Sequence, residues 1–390
     1  MFSITDHDFM AQALRLAERG LYTATPNPRV GCVIVSGGVV VGEGWHERAG
    51  EPHAEIHALQ QAGELAREAT VYVTLEPCSH HGRTPPCAEA LVKAGVARVV
   101  MAMQDPNPLV SGAGLKVMAD AGIQVECGLL EQGASELNIG FVSRMRRGRP
   151  WLRLKVAATL DGKTALSNGV SQWITGPDAR RDAHRWRARS CAMLTGIGTV
   201  LHDDPSFNVR DIETSRQPLK VVVDANLSMP LDAKMLSGAP LLVATGCDEE
   251  DRIQALREAG AEVLVLPAQH GQIDLARLMQ ELGQRGCNEV TVEAGKVLNG
   301  ALMQAGVVDE LVFYLAPMLF GDKARGMFGL PDIEAMEQRQ ELDIRDLRMV
   351  GQDMRIVARL TAKAASLSPD SLPGGERDDV SLREFYKERT

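Results

Sequence analysis

The sequence predicts an α/β protein with two domains, and three observations support that prediction. Strand-like runs such as RVGCVIVSGGVVVGEG and ATVYVTLEP alternate with helix-like runs such as AEIHALQQAGELA and CAEALVKAG, a pattern that is typical of α/β layers. The chain has 390 residues, 45% of them hydrophobic, and a chain of this length is longer than one hydrophobic core usually serves. The alternation also breaks once, at residues 142–150, before a second alternating series begins.

The break is the basic stretch VSRMRRGRP, which closes on Gly148 and Pro150 and which we expect to add nothing to a core. We therefore predict one domain over residues 1–146 and another over residues 147–362. The second series runs from WLRLKVAATLDG through LKVVVDAN and NEVTVEAG to DMRIVARLTA. Residues 363–390 are polar and contain Pro and Gly, so we expect a mobile tail there.

Charge and composition exclude several classes of partner. The net charge of -9 and the isoelectric point near 5.6 oppose binding to a nucleic-acid backbone, which favours basic surfaces. Seven cysteines are thinly spread, some within apolar runs, which indicates a reducing compartment. The N-terminus predicts an amphipathic helix without the apolar core of a signal peptide, and no apolar run approaches spanning length. We therefore expect a cytoplasmic protein that contacts neither nucleic acid nor membrane.

Two short stretches together predict a metal site in the first domain. The segment VTLEPCSHHGRTPPC holds Cys78 and Cys87, and GEPHAEIHAL supplies His53 and Glu55. A catalytic zinc ion usually takes three protein ligands and leaves the fourth position to water, and His53, Cys78 and Cys87 make such a set. Cys87 follows two prolines and begins a helix-like run, so the helix dipole should favour its thiolate. Glu55 should then face the bound water from a first helical turn.

Other interpretations of these residues remain open. Two cysteines with eight residues between them also suit a structural zinc clip or unrelated core thiols, and His46, His57, His80 and His81 offer further imidazoles. However, HAE followed by PC is the signature of zinc deaminases, in which a glutamate that is not a ligand shuttles protons. The chemistry that this pattern predicts is attack by a zinc-activated water on an amine-bearing ring carbon, with release of ammonia.

Four motifs of the first domain resemble one family. TPNPRVGCVIV, GEPHAEIHAL, the C-x8-C spacing and DPNPLVSGAG are similar to the bifunctional deaminase/reductases of riboflavin biosynthesis, and the resemblance covers about residues 5 to 362. It implies a cytidine-deaminase-like α/β/α zinc domain that removes the exocyclic 2-amino group of a diamino-ribosylamino-pyrimidinone phosphate. Asn27, His46 and Arg83 would contact this substrate. One departure is Ala113, because the family usually has a basic residue between the two glycines of SGAGLK.

The second domain contains two strand-to-helix glycine turns. CAMLTGIGTVLHDDP carries Gly196 and Gly198, but Leu201 stands where a dinucleotide fingerprint needs its third glycine. VTVEAGKVLNGAL runs through Glu293 into Gly295 and then into a helix, whose free N–H groups could bind a phosphate. Together the turns suggest a phosphate-bearing cofactor without naming it, and ordinary tight turns remain the alternative.

The family resemblance continues through this domain. KVAATLDGKTA, SQWITGPDAR, TVLHDDPSFNVR and VEAGKVLNGAL occur in the order of the family and imply a dihydrofolate-reductase-like domain that uses NADPH to reduce a ribosyl chain to ribityl. The residues that the resemblance places on the cofactor side are Ala157, Trp173, Thr199, Asp203 and Gly295. Those that it places on the substrate side are Ser171, Arg187, Phe207, Arg210 and Glu293.

Lys155 and Glu293 are the candidates for the chemistry of reduction. Hydride transfer to a ring-opened sugar needs a cation or acid near the developing charge, and Lys155 lies among apolar residues in LRLKVAA. Alternatively, Lys155 could point outward, because successive side chains of a strand point to opposite faces of the sheet. Arg187 and Arg210 could bind a phosphate bidentately, although surface charge also explains basic residues in RRDAHRWRARS.

Two other functions compete with this hypothesis. One is an RNA-editing deaminase with an appended binding domain, which the acidic charge and the aromatic content of 4% oppose. The other is a noncatalytic scaffold stabilised by zinc, in which Glu55 would have no role. The prediction is therefore a two-domain enzyme that needs Zn²⁺ and NADPH, acts on a phosphorylated pyrimidine, and could form a homo-oligomer.

Overall fold

Two β-sheets organise the protein, each covered by helices. The computed structural model describes residues 1–79, 86–108, 110–269 and 271–361. One sheet of five strands falls between residues 31 and 127, and one of nine strands falls between residues 151 and 360. The predicted tail of residues 363–390 lies outside the described residues. In the described part of the chain, no helix is long and apolar enough to cross a membrane.

The first sheet has the strand order β2-β1-β3-β4-β5, in which β1 is antiparallel to both of its neighbours and the remaining pairs are parallel. Its core is continuous along β1, where Cys32, Val33 and Ile34 are fully buried. The elements of this unit are α1 (Ile4–Glu18), β1 (Gly31–Ser36), β2 (Val39–Trp45), α2 (Ala54–Ala62), β3 (Thr70–Val73), α3 (Cys87–Ala94), β4 (Arg98–Met101), α4 (Ala113–Asp120), β5 (Gln124–Cys127), α5 (Glu131–Leu137) and α6 (Ile139–Arg147).

Two glycines of β2 allow α2 to pack close to the sheet. A Cβ atom on Gly42 would lie 2.2 Å from the carbonyl oxygen of Ala58, and one on Gly44 would lie 2.2 Å from that of Ala54. Both separations are shorter than any real contact, so only glycine fits at these positions. The close approach fixes the N-terminus of α2, which His53 caps, against the end of β2.

The second sheet has the order β11-β10-β9-β8-β14-β6-β15-β18-β17 and is parallel from β11 to β15, whereas β18 and β17 are antiparallel. The elements of this unit are β6 (Trp151–Thr159), β7 (Lys163–Ala165), α7 (Pro177–Arg189), β8 (Ala192–Gly196), α8 (Ile197–Asp203), β9 (Leu219–Val223), β10 (Leu241–Thr245), α9 (Glu250–Glu258), β11 (Ala261–Val265), β12 (Ala268–Gln269), β13 (Gln272–Ile273), α10 (Leu275–Gln284), β14 (Glu289–Val292), α11 (Lys296–Gln304), β15 (Glu310–Ala316), β16 (Arg325–Gly326), β17 (Leu342–Val350) and β18 (Asp353–Leu360).

This strand order creates a topological switch point between β8 and β14. The chain leaves β8 towards β9 on one side, and it leaves β14 towards β15 on the other side. In open α/β sheets, ligands bind outside the carboxyl ends of the strands at such a point. Both turns that the sequence analysis identified, at Gly196 and at Gly295, follow the carboxyl ends of these two strands.

The basic stretch between the sheets differs from the expectation. Residues up to Arg147 belong to helix α6, and Val142 and Met145 pack against the core of the first unit, so the expectation that this stretch adds nothing to a core is wrong. Arg147 and Arg149 both form salt bridges of 2.8 Å with Asp309 of the second unit. The stretch therefore joins the two units by packing and by charge. The exact boundary at residues 146–147 stays a prediction.

Candidate active sites

Three side chains of the first unit converge on one point. His53 Nδ1 lies 3.6 Å from Cys78 Sγ and 3.3 Å from Cys87 Sγ, and all three candidate ligand atoms lie within 4.8 Å of one another. Zinc–ligand bonds of about 2.0–2.3 Å at tetrahedral angles put ligand atoms about 3.5 Å apart. The cluster therefore fits a zinc ion, for which the described residues supply three ligands.

Local structure explains how each ligand reaches this point. His53 is the N-cap of α2 and has an extended backbone, so its imidazole leaves the helix axis. Cys87 is the first residue of α3, directly after Pro86, as the sequence predicts. Its backbone N–H donates to Cys78 Sγ at 3.4 Å, which draws the loop after β3 onto the helix N-terminus.

The two thiols share a side-chain hydrogen bond in the fold. This bond lowers the pKa of Cys78, and together with burial it raises the pKa of Cys87. The two sulfurs therefore compete for one proton, and a metal ion that both ligate would take its place. The preference for a thiolate on Cys87 at the helix N-terminus stays a prediction.

Glu55 lies beside the cluster without belonging to it. The residue is only 3% exposed, and among the described residues its Oε2 atom has no hydrogen-bond partner. Burial, followed by the charge of Cys78, raises the pKa of Glu55 to about 7. A buried carboxylate oxygen without a hydrogen-bond partner costs free energy, so the Oε2 atom indicates that the site binds a hydrogen-bond donor there. A water bound to a zinc ion is such a donor.

The other candidates of this domain divide into three groups. Asn27 Nδ2 donates to His46 Nε2 at 3.0 Å, which leaves His46 Nδ1 to donate to the Pro52 carbonyl oxygen at 3.3 Å. The His46 ring lies edge-on to His53 with centroids 5.2 Å apart, so Asn27 and His46 border the cluster. His57, by contrast, is outside the cluster. Arg83 and the two histidines of SHHGR lie outside the described residues.

A second cluster lies at the carboxyl end of β14. Arg187 donates two hydrogen bonds of 2.8 Å to the two oxygens of Glu293, and Lys155 Nζ lies 3.8 Å from Glu293 Oε2. Lys155 is thus turned inward, and burial lowers its pKa. The ammonium also lies 5.7 Å from the ring centre of Tyr314. The structure therefore brings Lys155, Arg187 and Glu293 together as one charged group.

Sequence analysis missed the residues beneath Lys155. Tyr314 is almost fully buried on β15, its hydroxyl donates to Asp182 Oδ2 at 2.6 Å, and it accepts from Trp186 Nε1 at 3.0 Å. No sequence signal marks them, because Tyr314 comes from a strand far along the chain that pairs with the strand of Lys155. These contacts fix the position of the Tyr314 ring that Lys155 faces.

The candidate substrate residues differ in burial and in the contacts that fix their side chains. The Arg187 guanidinium lies 5.3 Å from the centre of the buried Phe207 ring and donates to the Asn208 carbonyl oxygen at 3.3 Å. Arg210 is exposed, and its backbone N–H donates to Nδ1 of His184 at 3.1 Å. Ser171 is half-buried in the loop before α7.

The candidate cofactor residues surround the switch point only in part. Gly295 caps α11, and a Cβ there or on Gly198 would meet no atom within 4 Å, so both turns face open space. Thr199 lies in the first turn of α8, which Gly196 caps, whereas Asp203 is the last residue of that helix. Ala157 is half-buried on β6. Trp173 is exposed and stacks on Arg180, with the guanidinium 4.6 Å from the ring centre.

The open helix ends fit a cofactor that carries phosphate. Two adjacent parallel strands, β8 and β14, each lead into a helix whose first N–H groups face the same sheet edge. Such groups bind anions without a side chain. The charged cluster of Lys155, Arg187 and Glu293 begins one residue past β14, so a cofactor bound at this edge would reach it.

Three zinc ligands and a buried glutamate beside one sheet, and a phosphate-binding edge on the other sheet, define a bifunctional enzyme. Its first domain is a zinc deaminase and its second is a reductase. Two family models match accordingly. The cytidine and deoxycytidylate deaminase zinc-binding region matches residues 3–103, and the RibD C-terminal domain matches residues 150–356. The chain belongs to the RibD family of riboflavin biosynthesis proteins.

Individual relatives are similar to this chain over most of their length. The riboflavin biosynthesis protein RibD of Escherichia coli K12 is 49% identical over 363 residues, which are 90% of this chain and 98% of the relative. The Acinetobacter baumannii RibD structure (form 1) has a TM-score of 0.86 and 47% identity, covering 92% of this chain and 99% of its own. A Thermotoga maritima structure, described as a diaminohydroxyphosphoribosylaminopyrimidine deaminase/5-amino-6-(5-phosphoribosylamino)uracil reductase, has a TM-score of 0.81 and 30% identity, with the same coverage.

These comparisons confirm the fold class and the two activities. The protein is a deaminase and a reductase of riboflavin biosynthesis, with a zinc-binding deaminase domain and a reductase domain that uses NADPH. The hypotheses of an RNA-editing deaminase and of a noncatalytic scaffold are therefore wrong.

Proposed function

We propose that the first domain deaminates a phosphorylated diamino-ribosylamino-pyrimidinone and that the second reduces the ribosyl chain of the product to ribityl. The observation that carries the deaminase assignment is the unpartnered, buried Oε2 of Glu55 beside three converged ligand atoms. The substrate follows from membership of the RibD family and from the two activities that the description of the Thermotoga maritima structure gives.

In the deaminase, the chain's own residues hold the substrate and move the protons. His53, Cys78 and Cys87 would hold zinc, which when bound supplies a water of lowered pKa. Glu55 Oε2 would take one proton from such a water and return it to the exocyclic nitrogen. A C–O bond replaces the C–N bond, the second proton of the water ends on a ring nitrogen, and the products are a carbonyl and ammonia. The pair of Asn27 and His46 orients the pyrimidine against the cluster.

In the reductase, NADPH would supply a hydride when bound, and Lys155 supplies the proton. Hydride addition to the sugar carbonyl or imine carbon leaves charge on the attached oxygen or nitrogen, and Lys155 Nζ donates a proton to it. Burial lowers the pKa of Lys155 and so makes proton release easier. Glu293 holds Lys155 and Arg187 in place, and its pKa stays below the usual range although burial opposes this, because both cations lie beside it.

The phosphate groups of substrate and cofactor have separate candidate sites. Arg187 already bonds Glu293, so the exposed Arg210 is better placed for the substrate phosphate, with Ser171 and Phe207 lining the same side. The free N–H groups after Gly295 suit a pyrophosphate of NADPH. Ala157, Thr199, Trp173 and Asp203 would line the remainder of the cofactor.

The zinc assignment is tested by metal analysis of cysteine variants. Cys78→Ala removes a ligand, so we expect loss of bound zinc and of ammonia release, while NADPH oxidation on the deaminated substrate persists. Cys127→Ala is the matched control, because Cys127 is exposed on β5, outside the cluster. Loss of zinc from both variants, or undiminished ammonia release by Cys78→Ala, would contradict the assignment.

We infer further that the protein forms a homo-oligomer through the exposed face of β17. Leu342, Ile344, Leu347 and Met349 all lie on one face of this edge strand, as their pairing with β18 shows, and all four are exposed. An uncovered apolar stripe on a sheet edge favours association. A second copy of the chain would offer the same apolar stripe, so the contact would be symmetric.

Leu347→Glu should therefore lower the molar mass in solution to that of a monomer. Light scattering coupled to size-exclusion chromatography measures this directly. Leu65→Glu is the matched control, because Leu65 is 59% exposed in the first domain and Leu347 is 58% exposed. A monomeric parent protein, or equal behaviour of both variants, would rule out this interface.

A further inference from the structure

The segment that carries Asn27 in the deaminase domain is held by residues of the reductase domain. The Pro26 carbonyl oxygen accepts from Asn288 Nδ2 at 3.0 Å, and Thr25 Oγ1 lies 2.9 Å from Cys191 Sγ. Asn288 and Cys191 precede strands β14 and β8 of the second sheet. The residues just before Asn27 therefore take their position from the other domain.

Arg29, two residues after Asn27, is anchored in the same way. Its Nη1 donates to Glu289 Oε1 at 2.7 Å, and both side chains are buried. Glu289 also accepts from Arg189 and Arg153 of the reductase domain. A buried carboxylate with three arginine partners leaves little freedom to any of them. Side chains at the start of β14 thus contact the chain on both sides of Asn27, while Asn138 of the deaminase domain also bonds the Arg29 backbone.

Packing alone does not fix this segment. A cavity of about 240 Å³ is lined by Thr25 and Pro26 on one side and by Leu219 and other residues of the reductase domain on the other. Because this cavity reduces direct packing, the hydrogen bonds at its edge contribute to the position of the segment. The Pro26 carbonyl oxygen also accepts from Arg144 Nη2, at 3.2 Å, so Asn288 provides the shorter of its two side-chain bonds.

Asn288 is itself held in one orientation. Its Oδ1 accepts from Arg144 Nε at 2.6 Å, its backbone N–H donates to Cys191 Sγ at 3.1 Å, and its carbonyl oxygen accepts from the Trp151 N–H at 2.8 Å. The residue is 5% exposed. With its amide oxygen bound to Arg144, the amide nitrogen can point only at Pro26, so the side chain bridges the two domains in a single arrangement.

We propose that Asn288 of the reductase domain is a positioning residue for the deaminase: through Pro26 it places Asn27, and thereby the Asn27–His46 pair, against the substrate. This inference rests on the substrate role proposed for Asn27. Asn288 touches neither metal nor substrate and acts through Asn27. Its loss should weaken substrate binding by the deaminase and leave zinc binding and the reductase unchanged.

Asn288→Asp removes the bond to Pro26 and adds a carboxylate charge beside Arg144. The new carboxylate keeps an acceptor for Arg144 but cannot donate to the Pro26 carbonyl oxygen. We expect the deaminase KM to rise about tenfold, the effect of losing one buried hydrogen bond, with kcat changed less. Zinc content, reductase kcat and melting temperature should stay close to those of the parent protein. Asn288→Ala, which also removes the Oδ1 acceptor of Arg144 Nε, should raise KM at least as much.

Glu136→Gln is the matched control. Glu136 also bridges the domains, through a bond of 2.8 Å from Arg359, but it does not contact the segment of residues 25–29. Its removal should leave the deaminase KM unchanged. An equal rise of KM in this control would show that any interdomain contact has the same effect and would overturn the proposal.

A double-variant cycle separates this inference from the role of Asn27. If Asn288 acts through Asn27, the double variant Asn27→Ala/Asn288→Ala has the KM of Asn27→Ala alone. An unchanged KM in Asn27→Ala would refute the substrate role of Asn27 itself. A raised KM in Asn27→Ala with unchanged KM in both Asn288 variants would refute the positioning role only. Loss of zinc, or equal loss of both activities, in the Asn288 variants would show a purely structural role and would also refute it.

Discussion

Glu55→Gln should reduce the kcat of deamination by about 10²–10⁴-fold while zinc binding and folding are kept. Glutamine matches glutamate in size, and Glu55 is not one of the three candidate ligands. The amide cannot take a proton from water and return it to the leaving amine. Because Glu55 Oε2 has no other partner among the described residues, no structural bond to it is lost in the variant.

The measurement is ammonia release at saturating substrate, with zinc content determined on the same sample. NADPH oxidation on the deaminated substrate serves as an internal control and should be unchanged. Glu64→Gln is the matched substitution, since Glu64 is an exposed carboxylate in the same domain. Retention of more than about a tenth of the parent kcat by Glu55→Gln would contradict the proton-transfer role.

Lys155→Met should reduce the kcat of the reductase by about 10²–10³-fold and leave the deaminase intact. Methionine fills a similar volume but offers neither a proton nor a charge. Arg187 still pairs with both oxygens of Glu293 in this variant, so no unpaired carboxylate is left buried. The loss should therefore appear in the chemical step and not in folding.

Single-turnover NADPH oxidation distinguishes the chemical step from cofactor binding. Lys116→Met is the control, because Lys116 is 74% exposed on α4. Since burial lowers the pKa of Lys155, the parent reductase should lose activity as the pH rises, and it should do so below the range of an ordinary lysine. Full reductase activity in Lys155→Met would assign the proton to another group.

The metal site was predictable because its chemistry leaves a dense local signal. HAE and the two PC pairs place His53, Glu55, Cys78 and Cys87 in short motifs, and the structure brings His53, Cys78 and Cys87 within bonding range of one ion. The alternation of strands and helices likewise follows from periodicity along the chain. In both cases the information is local, so sequence alone was sufficient.

Local signals failed where neighbouring charges concealed a pattern. Helix α6 packs Phe141, Val142 and Met145 onto the first core, but the arginines between and after them suggested a polar linker. The pKa of Cys87 also depends on more than its position at the helix N-terminus. The sulfur of Cys78 approaches it only in the folded chain, and their hydrogen bond shifts the pKa of both thiols.

Contacts between distant parts of the chain left no signal at all. Asn288 and Pro26 are 262 positions apart, and Tyr314 lies on a different strand from Lys155. The residues proposed to contact substrate or metal could be named from the sequence, because their side-chain chemistry is distinctive. It could not name Asn288 or Tyr314, because an asparagine or a tyrosine gains its role there only from its tertiary neighbours.

The most direct test of two separate catalytic sites is a split assay on the purified protein, with and without a zinc chelator. One arm measures ammonia release from the diamino-pyrimidinone phosphate, and the other measures NADPH oxidation on the deaminated product. We expect chelation to abolish ammonia release and to leave NADPH oxidation unchanged. Chelator-resistant ammonia release, or loss of both activities together, would contradict a zinc deaminase and an independent reductase in this chain.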